Sequence, residues 1–166
     1  MSNPKAEKVS APEIRFATAE DSEAISDVLR EAFTPHREHY TEEAFGYVTP
    51  KPDVIRPRFA EGPIWVAELD GDVVGTVSLT TEPEGLYIRS MAVRPSSQGL
   101  GIGHKLLDAL HEHVSTSGNE RIFLYTTYFI PGAKELYEKH GFKRCRDTSA
   151  EEWYGTPGLE MEKILI

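Results

Sequence analysis

Hydrophobic and polar positions change period several times along this chain, and each change marks an element. Glu13 to Ala17 alternates and predicts a short strand. Thr18, with Asp21 three residues on, has the form of a capping box, and Ile25, Val28, Leu29, Ala32 and Phe33 then recur at helical spacing. Residues 34–62 are punctuated by Pro35, Pro50, Pro52 and Pro57, which leaves room only for short helices around 42–48 and 53–60. Ile64 to Leu69 and Val73 to Thr81 read as two strands joined at Asp70-Gly71-Asp72, a hairpin turn. Leu86 to Val93 adds a strand, and a helix over 101–116 turns Ile102, Leu106, Leu107, Leu110 and Val114 inward. Arg121 to Thr127 returns as a strand parallel to the one before that helix. Pro131 opens a last helix that Gly141 ends, and Phe142 to Arg146 with Leu159 to Leu165 complete a sheet.

The segment between the strand ending at Val93 and the next helix carries the most chemistry. Pro95 withdraws a backbone donor and holds Arg94 in extended geometry. Gly99, Gly101 and Gly103 then let backbone N–H groups approach an anion closely, where the helix dipole adds partial positive charge. The spacing excludes a Walker loop, because His104 separates Gly103 from Lys105 and Leu106 follows. It also excludes a dinucleotide fingerprint: the glycines give GxGxG, and the next strand, from Ile122 to Thr127, offers no acid for a ribose.

What does match is Gln98-x-x-Gly101-x-Gly103 directly after Ala92-Val93-Arg94-Pro95, which resembles the acyl-CoA loop of the GNAT superfamily of N-acetyltransferases. A second segment, Ala133-x-x-Leu136-Tyr137-Glu138-Lys139-x-Gly141-Phe142, is similar to that family's second signature. The resemblance covers most of residues 13–166 and implies an α/β GNAT fold, a central mixed twisted sheet of about seven strands flanked by about four helices.

The resemblance also implies a division of labour. Backbone groups of Met91, Ala92 and Val93 would bond the acetyl carbonyl and the pantetheine arm of acetyl-CoA, and Gln98, Gly99, Leu100, Gly101, Ile102, Gly103 and His104 would hold the pyrophosphate. Arg94 and Lys105 could add charge near phosphate or serve as ordinary surface cations. Tyr137 is the candidate general acid, since a phenol near ~10 stays protonated where a thiolate of roughly 8.5 leaves. Helix periodicity alone would have it pack on a face with Ala133, Leu136 and His140. Many relatives carry a glutamate base six residues before the valine matching Val93, but this chain has Tyr87 there, so Glu82, Glu84, His36 and His39 are the substitutes, with Glu84 put forward as base. Ile130 replaces an asparagine that contacts the cofactor arm in many relatives. Substrate choice is expected from residues 34–60, the 82–87 hairpin and the 147–158 loop, with His36, Tyr87 and Tyr128 as contacts. Arg56 and Arg58 could bind a substrate carboxylate or form surface salt bridges.

Composition sets outer limits. A length of 166 residues suits one domain, expected over 13–166, with Met1 to Pro12 as a flexible polar tail that lacks the apolar stretch of a signal peptide. No apolar run approaches the ~20 residues of a membrane span. The lone Cys145 excludes an internal disulfide and fits the reducing cytoplasm, and no ligand cluster suggests a metal. With 27 acidic against 18 basic side chains the net charge is −9, which disfavours nucleic acid. The expected partners are therefore acetyl-CoA and an amine acceptor, with a homodimer left open. Two functions stand: an N-acetyltransferase acting on a primary amine of a small molecule, amino acid or peptide, or a non-catalytic acyl-CoA sensor on the same fold.

Overall fold

The computed structural model describes residues 10–165, so most of the expected tail lies outside the described residues. The chain folds as β1 (Glu13–Phe16), α1 (Ser22–Phe33), α2 (Glu42–Val48), α3 (Pro52–Ile55), β2 (Ile64–Leu69), β3 (Asp72–Glu82), β4 (Gly85–Val93), α4 (Ile102–Val114), β5 (Arg121–Thr126), α5 (Ala133–Lys139), β6 (Lys143–Thr148) and β7 (Gly158–Ile164). Five α-helices thus stand among the described residues where the sequence suggested about four. The expected helix over 53–60 divides into α3 and a 3₁₀ turn, Arg56–Ala60, because Pro57 has no N–H to continue an α-helical ladder. The last helix begins at Ala133 rather than Pro131, after Gly132 at φ +78°. At the start of α1 the capping residues form a 3₁₀ turn, in which the Thr18 N–H donates to Asp21 Oδ2 at 2.8 Å and Arg15 grips the same carboxylate.

The seven strands form one mixed sheet in the order β1-β2-β3-β4-β5-β7-β6, antiparallel except where β4 meets β5. Both faces are covered. On one, Ile102, Leu106, Leu107 and Leu110 of α4 pack with Leu86, Ile88, Ile122 and Leu124 and with Tyr137 and Phe142. On the other, Ile25, Val28 and Leu29 of α1 pack with Ile55, Val66 and Ala92. Alternation along β4 therefore sends Leu86 and Ile88 toward α4, and Tyr87 and Arg89 toward the α1 side.

Two irregularities in β4 distort the centre of the sheet. Its parallel pairing with β5 covers only Leu86 with Ile122 and Tyr87 with Phe123, after which the strands part. On its other edge the register with β3 slips between Thr76–Ala92 and Ser78–Arg89, so Ser90 and Met91 together oppose Val77. This is a β-bulge, with Ser90 at φ +57° in the left-handed region.

Candidate active site

The parting of β4 and β5 opens a cavity of about 160 Å³, lined from one strand by Ile88 to Met91 and from the other by Leu124 to Thr126. Strands that share a ladder fill each other's hydrogen bonds; strands that part leave backbone donors and acceptors open to an extended ligand. Met91 lies on the cavity wall, and Ala92 and Val93 beyond it anchor the strand in the two cores.

The glycine loop follows the end of β4 and touches the fork through Gly103. Gly99 and Gly101 have φ of +87° and +77°, and a Cβ at either would meet nothing within 4 Å, so the loop needs glycine for its backbone while its surface stays open. The first helical bond of α4 runs from the Lys105 N–H to the Gly101 carbonyl, which leaves the N–H groups of Ile102, Gly103 and His104 ahead of it. Ile102 is buried in the core, and Gln98 donates to the Val93 carbonyl at 3.3 Å. At Gly103 a Cβ would come within 3.1 Å of Leu136 and 3.6 Å of Met91. The helix start, the cavity strand and α5 therefore meet at one glycine. Gln98, Leu100 and His104 are exposed on this rim, and His104 Nδ1 lies 2.9 Å from His140 Nε2. Arg94 turns away from the loop, to Glu31 and the Val73 carbonyl.

Tyr137 is brought to the cavity wall together with Ala133, Ile130 and Met91. Burial pushes its phenol well above the ordinary range, so it remains a protonated donor at neutral pH. Tyr87 also reaches the wall, stacked on Phe123, and is pushed up by burial first and then by neighbouring Tyr47.

Other expected site residues are not gathered here. Glu84 is exposed in the turn between β3 and β4, at the far end of β4 from Met91, about 20 Å away by strand rise. Glu84, put forward as base, does not line the cavity, whereas a proton acceptor has to stand within hydrogen-bond reach of the amine or one water away. Glu82 accepts from Thr80 at the end of β3. His36 lies in the 3₁₀ turn after α1, outside the wall, and His39 stacks on Phe129. Tyr128 is 57% exposed and turned outward to Asp147.

The outer wall comes from two segments far apart in sequence. Thr41 joins them: its hydroxyl donates to the Tyr154 carbonyl at 2.5 Å, and its N–H donates to Thr156 Oγ1 at 3.0 Å. Tyr47 of α2 then packs edge-on against Trp153 with ring centroids 5.4 Å apart. The expected loops 34–60 and 147–158 thus form one aromatic cover. Arg89, Ser90 and Tyr125 also line the cavity, and sequence reasoning missed them. A signal existed for the first: an arginine in the interior of an apolar strand needs a polar partner.

Comparison with known proteins agrees with this geometry. The model of the Acetyltransferase (GNAT) family matches residues 23–142, and the chain belongs to that family. The N-acetyltransferase MJ1530 of Methanocaldococcus jannaschii, itself uncharacterized, is 32% identical over 132 residues, covering 78% of this chain and 77% of that protein. The "Probable N-acetyltransferase camello" of Xenopus tropicalis is 35% identical over 85 residues, and the match spans 49% of this chain but 39% of that protein's length. Among solved structures, the PaiA N-acetyltransferase of Thermoplasma acidophilum, in complex with coenzyme A, superposes with a TM-score of 0.76 at 22% identity over 93% of this chain and 99% of that one. The seven-stranded mixed sheet is accordingly the GNAT fold.

Proposed function

We propose that residues 13–166 act as one domain that transfers an acetyl group from acetyl-CoA to a primary amine through a ternary complex. The observation that carries this reading is the open β4–β5 fork with Tyr137 on its cavity wall, next to a glycine loop whose Gly103 packs against Leu136 of α5 and Met91 of the fork. The residues present fit the cofactor: Gly99 and Gly101 leave free space beside exposed N–H groups for a pyrophosphate, and the fork leaves unpaired β4 backbone for an extended amide arm. Bound acetyl-CoA supplies a thioester carbon for the amine to attack and a thiolate to leave.

The protein's own groups then divide the work. Loop N–H groups from Gly99 to His104 would hold the phosphates, with the Gln98 N–H already given to the Pro95 carbonyl, and backbone from Met91 to Val93 would orient the arm and carbonyl. Tyr137 returns a proton to the departing sulfur. Its raised pKa does not spoil this role, because the burial that disfavours phenolate equally disfavours a thiolate formed beside it. The amine's own proton leaves by another route. No carboxylate or imidazole lines the cavity among the described residues, and burial pushes Tyr40 up to about 12, far too weakly ionised to act as a base. Water at the cavity mouth, or entry of the free amine, supplies the route.

That same lack of a base in the wall favours the sensor as second reading. Calorimetric titration with CoA, then an amine and peptide panel with acetyl-CoA and thiol release as readout, separates the two. Binding with transfer supports the enzyme; binding without transfer across the whole panel supports the sensor. Absence of CoA binding at sub-millimolar concentration overturns both.

A further inference from the structure

A buried guanidinium without an acid beside it asks for an anion. Arg58, in the 3₁₀ turn after α3, is 9% exposed, and its one hydrogen bond to a described residue runs from Nη1 to Ser90 Oγ at 2.9 Å. Its neighbour Arg56 pairs with Asp53 on the surface at 2.6 Å, but Arg58 makes no ion pair among the described residues. Arg89 adds a second cation. It pairs with Glu61 through Nη2 at 2.7 Å, while its Nε is buried with no partner among the described residues. Two guanidinium groups share one carboxylate, so the cluster keeps one uncompensated positive charge, within a chain whose net charge is −9.

This charge sits at the cavity. Arg89 and Ser90 line the wall, as do Tyr47 and Tyr87, and Arg58, itself outside the wall, reaches it through its hydrogen bond to Ser90. Burial, and after it the nearby Arg89, push the Arg58 pKa down, the direction expected of a cation held without its counter-ion. Arg89 stands two residues before Met91 on β4, across the bulge at Ser90, and both line the same cavity. An acid group bound there leaves an amine a few bonds away at the fork.

Resting on the transferase reading above, we infer that the acceptor is an amine bearing a carboxylate, of amino-acid or short-peptide class, with the carboxylate held by Arg89 and backed by Arg58 behind Ser90. A purely structural account, in which Arg58 only fastens the bulge at Ser90, uses Nη1 and leaves the charge and the Arg89 Nε unexplained.

Acetylation of the amino acids and of dipeptides is measured against their amides and the corresponding decarboxylated amines. In parallel, N-acetylated amino acids and their amides are titrated into CoA-saturated protein. The free acids are expected to be preferred roughly ten- to a hundred-fold in kcat/KM, the scale of a charge-assisted hydrogen bond. Arg58→Met and Arg89→Met are each expected to erase most of that preference through KM, and Arg58→Lys to keep part of it. CoA affinity and the melting transition report that the variants are folded. Amides or simple amines accepted as well as the acids would overturn the inference and leave the transferase reading intact. So would a preference that survives both Met variants. Binding of the N-acetylated acids that depends on Arg58, with no transfer to any amine, would support the anion site and overturn the transferase reading. Failure of the acids both to bind and to react overturns the inference.

Discussion

Tyr87 and Phe123 are the last residues that β4 and β5 pair across their parallel ladder, and their rings stack with centroids 5.2 Å apart at the point where the strands part. The stack caps the fork. Below it the sheet is continuous; above it the cavity begins. Replacing Tyr87 by Ala is expected to cost about 2–4 kcal/mol, since it removes both a large side chain and an aromatic pair. Tyr87→Phe keeps the ring and is expected to stay within ~1 kcal/mol of the parent. Denaturant unfolding of both variants checks this, and an equal loss in the two would place the energy in the hydroxyl rather than the stack.

Tyr137→Phe keeps the ring that packs beside Phe142 and removes the one donor that α5 brings to the cavity wall. The expected result is a fall in kcat of about 10²–10⁴-fold, equal in kcat/KM, with CoA affinity unchanged. Glu84→Gln, in the exposed turn, is expected to leave the pH–rate profile as it was. A raised KM with full kcat in the Phe variant would assign Tyr137 to binding alone.

At Gly101, φ of +77° in open space separates backbone strain from steric clash. Valine there is expected to destabilise the loop by about 1–3 kcal/mol and to weaken CoA binding by at least about tenfold, since the N–H groups at the start of α4 lose their aim. Thermal melts with and without CoA measure both effects. A variant that melts lower but binds CoA as before would detach the loop from the cofactor.

The histidine cluster beside the loop predicts a pH dependence of stability. Burial lowers the pKa of His111 and of His140 below 6.5, and His111 Nε2 is buried without a partner among the described residues. Lys163 opposes protonation of both and Asp108 favours it, but burial leads in each. The unfolded chain therefore takes up protons that the native state refuses, and stability present above pH 6.5 falls as the pH drops toward the lowered values. Urea unfolding between pH 7.5 and 5 should show the decline, and His111→Leu should flatten it. A midpoint that rises as the pH falls over this range would contradict the assignment.

The glycine loop and the α5 signature were legible because each is local: positive φ at Gly99 and Gly101 and the spacing of Leu136 and Tyr137 depend on neighbours within one or two turns. Most elements were read within a residue or two for the same reason. The split of 53–60 was also local, since Pro57 alone forces it. The bulge was harder, because two polar residues in succession, Arg89 and Ser90, break alternation without saying which strand slips.

By itself the sequence determined the order of elements, the backbone of the glycine loop and the family, all of which rest on short-range steric and hydrogen-bonding rules. Only the tertiary structure decided what lies around the cavity. It brought Thr41 to Tyr154 and Tyr47 to Trp153 across more than a hundred residues, set Arg58 against Ser90, and left Glu84 at the far end of its strand. Those outcomes depend on how the two faces of one sheet are covered, and a charge's worth depends on the burial and partners that only packing assigns.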